Sequence, residues 1–248
     1  MPQDIYDPAF VKSVFDKCSS SYRYWSNIAS FGFVWIWRRQ CIAALPSFPS
    51  DNAVIADLMA GTGEVWPPLL RRHPRLAKII AIDISAGMVQ GAVQRLHAMR
   101  ADRIEITEAN VLSVELPPAS VDALLCGFGL KTFDKQQQLQ IARQVANLLK
   151  PGGVFSFIEA SDPKGWLFRP LYNFYLRTAL PVIERLFLNG AQDFAMLGVY
   201  SKEFQNCSHF VDCLKSCGLD VELKVYFFGC ATGAVGRRLP HAAPTSSS

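Results

Sequence analysis

The chain has 248 residues, half of them hydrophobic and 19% charged, with a net charge of +4. That is enough apolar material for one large core, and the positive surplus is spread without a Lys/Arg block, which argues against a nucleic-acid partner. No apolar run reaches the roughly 18 residues needed to span a bilayer, and the opening "MPQDIYDPAF" lacks the basic-then-apolar layout of a secretory signal. Seven cysteines (Cys18, Cys41, Cys126, Cys207, Cys213, Cys217 and Cys230) are scattered, without a CxxC or a nearby His cluster. They read as reduced, mostly buried thiols of a cytosolic protein, and no metal site is expected.

In chain order, residues 1–50 look helical and aromatic. Their densest stretch, "FGFVWIW" at 31–37, ends in Arg38-Arg39 and reads as a partly exposed helix. A strand is expected at 53–58 ("AVIADL"), a helix at 64–73, a strand at 79–83 ("IIAID"), a helix at 86–99, and strands at 103–107 and 121–126. A helix follows at 134–149, where Leu139, Ala142, Ala146 and Leu149 share one face. Asp134 is its expected N-cap and "PGG" at 151–153 its stop, ahead of a strand at 154–159. Residues 161–200 are rich in aromatics, Leu and Pro. A helix near 201–216, strands at 220–227 and 230–237, and a disordered tail at 239–248 complete the reading. Near-continuous apolar strands alternating with helices imply an α/β fold, a mostly parallel sheet covered on both faces. One domain is expected over 1–238: a helical cap (1–50), a core (51–160), a lid (161–200) and a closing helix with strands (201–238).

In such sheets ligands bind beyond the C-terminal ends of the strands. "GTG" at 61–63 sits there, and Gly61 and Gly63 remove the Cβ atoms that would block a close approach. A dinucleotide fingerprint would need a third glycine, but that place holds Trp66, which argues against NAD or FAD. Asp83 ends the second strand, where a carboxylate can accept both ribose hydroxyls. "EANV" at 108–111 follows the third strand, where a polar side chain and a backbone N–H can read an adenine edge. This order suits S-adenosyl-L-methionine (SAM).

With "DLMAGTGE" at 57–64, "AIDISAGM" at 81–88, "EANVLSVELPPASVDALLCGFGLKTF" at 108–133 and "LLKPGGVFSFIEAS" at 148–161, the chain resembles class I SAM-dependent methyltransferases. The specific likeness is to the ubiquinone/menaquinone C-methyltransferase (UbiE/MenG/COQ5-type) group. It extends over roughly residues 10–237 and includes "VFDKCSSSYRYWSNIASFGFVWIWRR" at 14–39 and "RPLYNFYLRTALPVIERLF" at 169–187. The resemblance implies a Rossmann-like, seven-stranded fold and a cofactor site at Asp57, Ala60, Gly61, Thr62, Gly63, Asp83, Ile84, Met88, Asn110, Val111 and Gly127. Thr62 would meet the methionine end, Asp83 the ribose, Asn110 and Val111 the adenine, and Gly127 the wall beside the reactive methyl. S-adenosyl-L-homocysteine would be the product.

The substrate half departs from the group. Its early Tyr-Asp-x-Met-Asn signature keeps Tyr22 but continues Arg23, Tyr24, Trp25, Ser26, and its His position is Val34. Its "FGLRN" is "FGLKT", so Lys131 and Thr132 stand for an Arg–Asn pair; Lys lacks the planar fork of Arg. Candidate catalytic residues are Glu159 at the end of the fifth strand, Tyr22 and Lys131. Glu159 reads equally as a carboxylate that orders the lid. Tyr24, Tyr172, Tyr175 and Tyr200 are pocket candidates or packed aromatics. Trp25 either faces the sulfonium or packs in the core, and His73, His97, His209 and His241 read as surface or capping residues.

The aromatic regions predict an apolar, flat or elongated acceptor. Three readings stand: C-methylation of a quinol, phenol or secondary metabolite; O- or N-methylation of a small natural product; and a SAM-binding protein repurposed as a cyclase or scaffold. "FGFVWIW" reads as a peripheral membrane contact, a dimer contact or a lid contact.

Overall fold

The computed structural model describes residues 4–48, 51–175, 178, 182 and 193–240. Three helices open the chain: α1 (Pro8–Cys18), α2 (Tyr22–Ala29) and α3 (Phe33–Ala43). The first is set by Asp7, whose carboxylate accepts the Ala9 and Phe10 amides, with Pro8 supplying a helical φ. Then come β1 (Val54–Leu58), α4 (Trp66–Arg72), β2 (Lys78–Asp83), α5 (Ala86–Met99), β3 (Ile104–Glu108) and β4 (Val121–Gly127). A short 3-10 turn at Leu130–Thr132 leads to α6 (Lys135–Leu148) and β5 (Leu149–Ala160). The chain closes with α7 (Arg169–Phe174), α8 (Asp193–Phe204), α9 (Ser208–Ser216), β6 (Leu219–Tyr226) and β7 (Ala231–Arg238).

The seven strands lie in the order β3-β2-β1-β4-β5-β7-β6. The β1, β2, β3, β4 and β5 pairings are parallel, and β7 runs antiparallel to both β5 and β6. Successive residues of the central strands alternate between two cores. Ile55, Ala123, Leu125 and Ile158 pack under α3 and α4 against Trp37, Trp66 and Leu69. Ala56, Leu124, Cys126 and Phe157 pack against Ile141 and Val145 of α6 and Phe210 of α9. The larger of these, such as Ile55, Leu124 and Phe157, each contribute roughly 1.5–3 kcal/mol relative to exposure.

Two boundaries differ from the sequence reading. "PGG" does not separate helix from strand: α6 passes at Leu149 directly into β5. Gly152 (φ +80°) turns inside that strand, and the β4–β5 ladder slips between Val121 and Ala123. The single helix near 201–216 is two. Gln205 takes a left-handed φ of +60°, and the Asn206 carboxamide oxygen accepts the Ser208 amide at 2.8 Å to start the second. Asp134 caps α6 in a reciprocal capping box with Gln137, as read. Most of the tail at 239–248, and much of the expected lid between 176 and 192, lie outside the described residues.

Candidate active site

Parallel strands present their C-terminal ends on one edge, and the turns after β1, β2, β3 and β4 meet there around a cleft of about 880 Å³. The first turn is built by left-handed residues, Met59, Gly61 and Gly63, with φ of +54°, +57° and +75°. A Cβ placed on Gly61 would meet no protein atom within 4 Å, so bare backbone faces the opening. At Gly63 the reason for glycine is different: a Cβ would run into the Trp66 ring. The indole N–H of Trp66 donates to Asp57 at 2.8 Å, so the residue in the place of a third glycine packs the turn from beneath.

Asp83 links the first two turns. Its carboxylate accepts the Gly61 amide at 2.7 Å and the Ser85 amide at 2.9 Å. Burial raises its pKa from 3.8 to about 6 against the pull of those two amides. Burial raises Asp57 further, to about 7, with the Trp66 hydrogen bond acting the other way. Asn110 accepts the Leu112 amide at 3.0 Å, which shapes the turn after β3.

At the other end Gly127 lines the cleft, and a Cβ there would come within 2.9 Å of Val65. Phe128 (φ +80°) and Gly129 (φ +129°) follow. Glu159 organises this turn from behind. It is 0% exposed, and it accepts the amides of Gly129 at 2.8 Å, Lys131 at 3.2 Å and Ala160 at 2.9 Å. It also pairs with the Lys131 ammonium at 3.1 Å. Lys131 itself reaches the cleft.

Ala60, Gly61, Asp83, Ile84, Met88, Asn110, Val111, Gly127, Tyr22 and Lys131 therefore come together along one opening. Asp57, Thr62, Gly63 and Glu159 are not among the residues that line it. Asp57 is turned onto Trp66, and the Thr62 hydroxyl onto the Glu64 carboxylate. Burial also lifts the Tyr22 phenol above its ordinary value, so at neutral pH it is a neutral hydrogen-bonding group and not a base. Of the other tyrosines, Tyr24 is exposed, Tyr172 packs on Trp166, Tyr175 donates to the Ile28 carbonyl and Tyr200 donates to that of Ile5. His73, His97 and His209 do not line the cleft, and His73 packs on Phe48. The side chain of Trp25, and His241, lie outside the described residues.

Three features escaped the sequence reading. Helix α1 forms a wall of the cleft through Val11 and Phe15. It is latched by Lys12, which donates to the Ile84 carbonyl at 2.9 Å and Glu108 at 2.6 Å, and by Asp16, which accepts the Ser85 hydroxyl at 2.6 Å and the Gly87 amide at 3.0 Å. Buried Arg38 and partly buried Glu64 face the cleft as an ion pair at 3.4 Å, with Arg95 on the far side of Glu64 at 3.2 Å. Phe128, under the Arg38 guanidinium, and Phe133 supply aromatic wall.

The strand order, with one reversed strand beside the last parallel one, and a glycine-floored cleft flanked by the acid ending β2, define a class I SAM-dependent methyltransferase. Residues 3–237 match the ubiE/COQ5 methyltransferase family, and the chain belongs to it. It is 27% identical over 231 residues to a demethylmenaquinone methyltransferase of Lactiplantibacillus plantarum, covering 92% of this chain and 95% of that one. It is 25% identical over 227 residues to that of Geobacillus stearothermophilus, at 91% and 95% coverage. Among solved structures, an O-methyltransferase family protein from Burkholderia thailandensis superposes with a TM-score of 0.59 at 19% identity, over 89% of this chain and 61% of that one. Human N-acetylserotonin methyltransferase in complex with SAM gives 0.57 at 20%, over 89% and 58%. This chain thus spans about three fifths of each of those two proteins. No helix among the described residues is long and apolar enough to cross a membrane.

Proposed function

We propose that the cleft holds SAM between Asp83 and the Asn110–Val111 turn at one end and Gly61, Arg38 and Glu64 at the other. The chain then methylates a ring carbon of an apolar, quinol-like acceptor. The observation that carries this is the Asp83 carboxylate beside the open Gly61 backbone: a dianchored acid facing a floor with no Cβ. When bound, SAM supplies an electrophilic methyl on a sulfonium and is left as S-adenosylhomocysteine.

The side chains then divide the work. Asp83, ionised above about pH 6, accepts the two ribose hydroxyls. Arg38 and Glu64 offer opposite charges to the carboxylate and ammonium of the methionine end. Tyr22, Phe128 and Phe133 give a flat apolar wall for the acceptor. The Lys131 ammonium, fixed by Glu159, holds an ionised ring hydroxyl and keeps the adjacent carbon electron-rich. Glu159 acts through Lys131 and the 129–131 turn. The displaced ring proton leaves to solvent through the open mouth. Holding the two partners in line contributes ~7–11 kcal/mol. The two relatives named for demethylmenaquinone support an acceptor of this kind.

Incubation with methyl-labelled SAM and reduced naphthoquinone-type or simpler phenolic rings, followed by fragmentation of the product, tests the reading. A label on ring carbon is expected. A label on oxygen or nitrogen would move the protein to heteroatom chemistry, and tight SAM binding with no turnover on any ring would make it a binding protein.

A further inference from the structure

Outside the cleft, the surface carries a set of large apolar side chains from three separate segments. Phe31 lies in the α2–α3 turn, Leu167, Phe168, Leu171 and Phe174 lie in and before α7, and Phe228 lies in the β6–β7 turn. Leu167, Phe31 and Phe228 are 83%, 71% and 68% exposed. The segments form one patch. Trp166 stacks on Phe228 at 5.7 Å and meets Phe168 at the same distance, Phe227 packs on Phe33 at 4.3 Å, and Phe31 packs on Tyr175 at 4.5 Å. Phe31, Phe227 and Phe228 sit at φ of +50°, +42° and +55°, backbone conformations that a glycine or asparagine would adopt more easily. An exposed aromatic at a strained turn is costly twice over, and here it recurs on one face.

The charges carried by two of the segments that bear the patch point to its partner. Residues 19–50 contain three arginines and no acid, and 163–175 contain Lys164 and Arg169 and no acid. Arg169 is held by Asp162, and Lys164 donates to the Gln205 carboxamide oxygen at 2.6 Å; Arg23, Arg39 and Lys164 are all exposed, and the Arg39 guanidinium lies 3.5 Å from the Trp35 ring centre on α3. Aromatic and aliphatic side chains bordered by cations match the interface of a bilayer with an anionic surface. We propose that this face seats the protein on an anionic lipid bilayer, with the rings at the acyl-chain boundary and Arg23, Arg39 and Lys164 at headgroup phosphates. The ring contacts continue from Phe227 through Phe33 and Trp37 to Phe128 on the cleft wall, so one packed row of rings joins seat and cleft. The proposal goes beyond the methyl-transfer reading and stands without it.

Co-sedimentation with vesicles tests it, using phosphatidylcholine alone or mixed with phosphatidylglycerol, at low and high salt. The full chain is expected to bind the anionic vesicles, and high salt is expected to weaken binding. Phe31→Ser with Phe228→Ser, and separately Arg23→Glu with Lys164→Glu, should each lower the partition at least about tenfold. Melting temperature and S-adenosylhomocysteine affinity should stay unchanged, which separates a lost seat from a lost fold or a lost cofactor site. Equal partition of all variants would overturn the proposal. So would an absence of vesicle binding combined with a concentration-dependent dimer that the Phe variants dissociate.

Discussion

The Asp83→Asn substitution separates two roles that one carboxylate plays with opposite dependence on acid. In the free protein, burial lifts the pKa of Asp83 from 3.8 to about 6. The folded chain therefore keeps a proton that the unfolded chain releases. The stability this gives is present in full below about pH 4 and is lost as the pH rises through about 6, a difference on the order of 3 kcal/mol. Cofactor affinity runs the other way, because the ribose needs the ionised form. Calorimetric titration of the wild type with S-adenosylhomocysteine should give constant affinity above about pH 7 and a loss of about tenfold by pH 5. In Asp83→Asn the amide cannot accept from Gly61, Ser85 and both hydroxyls as a carboxylate does. The loss is about 2–4 kcal/mol, roughly 30- to 1000-fold in dissociation constant. The acid-side slope centred near 6 disappears in the variant, although Asp57, at about 7, still titrates beneath it. A variant that binds within about threefold of wild type, or a wild type whose affinity is flat between those two pH values, would refute the ribose assignment and the mechanism built on it.

Other expectations follow from the same geometry. Glu159→Gln removes the charge that balances Lys131 in a fully buried position; breaking such a pair costs about 3–5 kcal/mol, read as a fall of about 10 °C in melting temperature. A change within the error of the melt would count against Glu159 as the organiser of the 129–131 turn. Lys131→Met should lower turnover about a hundredfold with S-adenosylhomocysteine affinity unchanged, and Lys131→Arg should restore most of it; equal loss in both would remove the ammonium from the chemistry. Gly63→Ala forces a Cβ into the Trp66 ring at a φ of +75° and should destabilise the fold by about 2–4 kcal/mol in denaturant titration. Apo-protein melts should rise as the pH falls from 8 to about 5.5, since both Asp57 and Asp83 have raised values; melts that fall over that window would contradict the burial of the pair.

The centre of the sheet was legible in the sequence because β1, β4 and the latter half of β5 are buried on both faces and so are written as short, largely apolar runs. The glycine turn and the acid after the next strand were legible because both follow directly from strand ends. What was not legible depends on distance or on packing. Lys12 finds its partners 72 and 96 residues away, at Ile84 and Glu108, and nothing local to α1 announces them. Trp66 looks in sequence like a failed glycine, and only the fold shows its indole filling the space under Gly63 and drawing Asp57 inward. Arg38 and Glu64 stand 26 positions apart in ordinary helical and turn contexts, and they become a site only when α3 packs across the sheet. Glu159, foreseen at the sheet edge, is held back from it because three amides and one ammonium already claim its oxygens.

The placement of β7 between β5 and β6 has a consequence for how the molecule is made. β6 is synthesised first, yet it has no neighbour in the sheet until β7 arrives and pairs with it on one side and with β5 on the other. The last strand among the described residues is thus an interior one. Without β7 the five parallel strands would end on an open edge at β5 and β6 would have no partner in the sheet, so the sheet closes only when Ala231–Arg238 is in place.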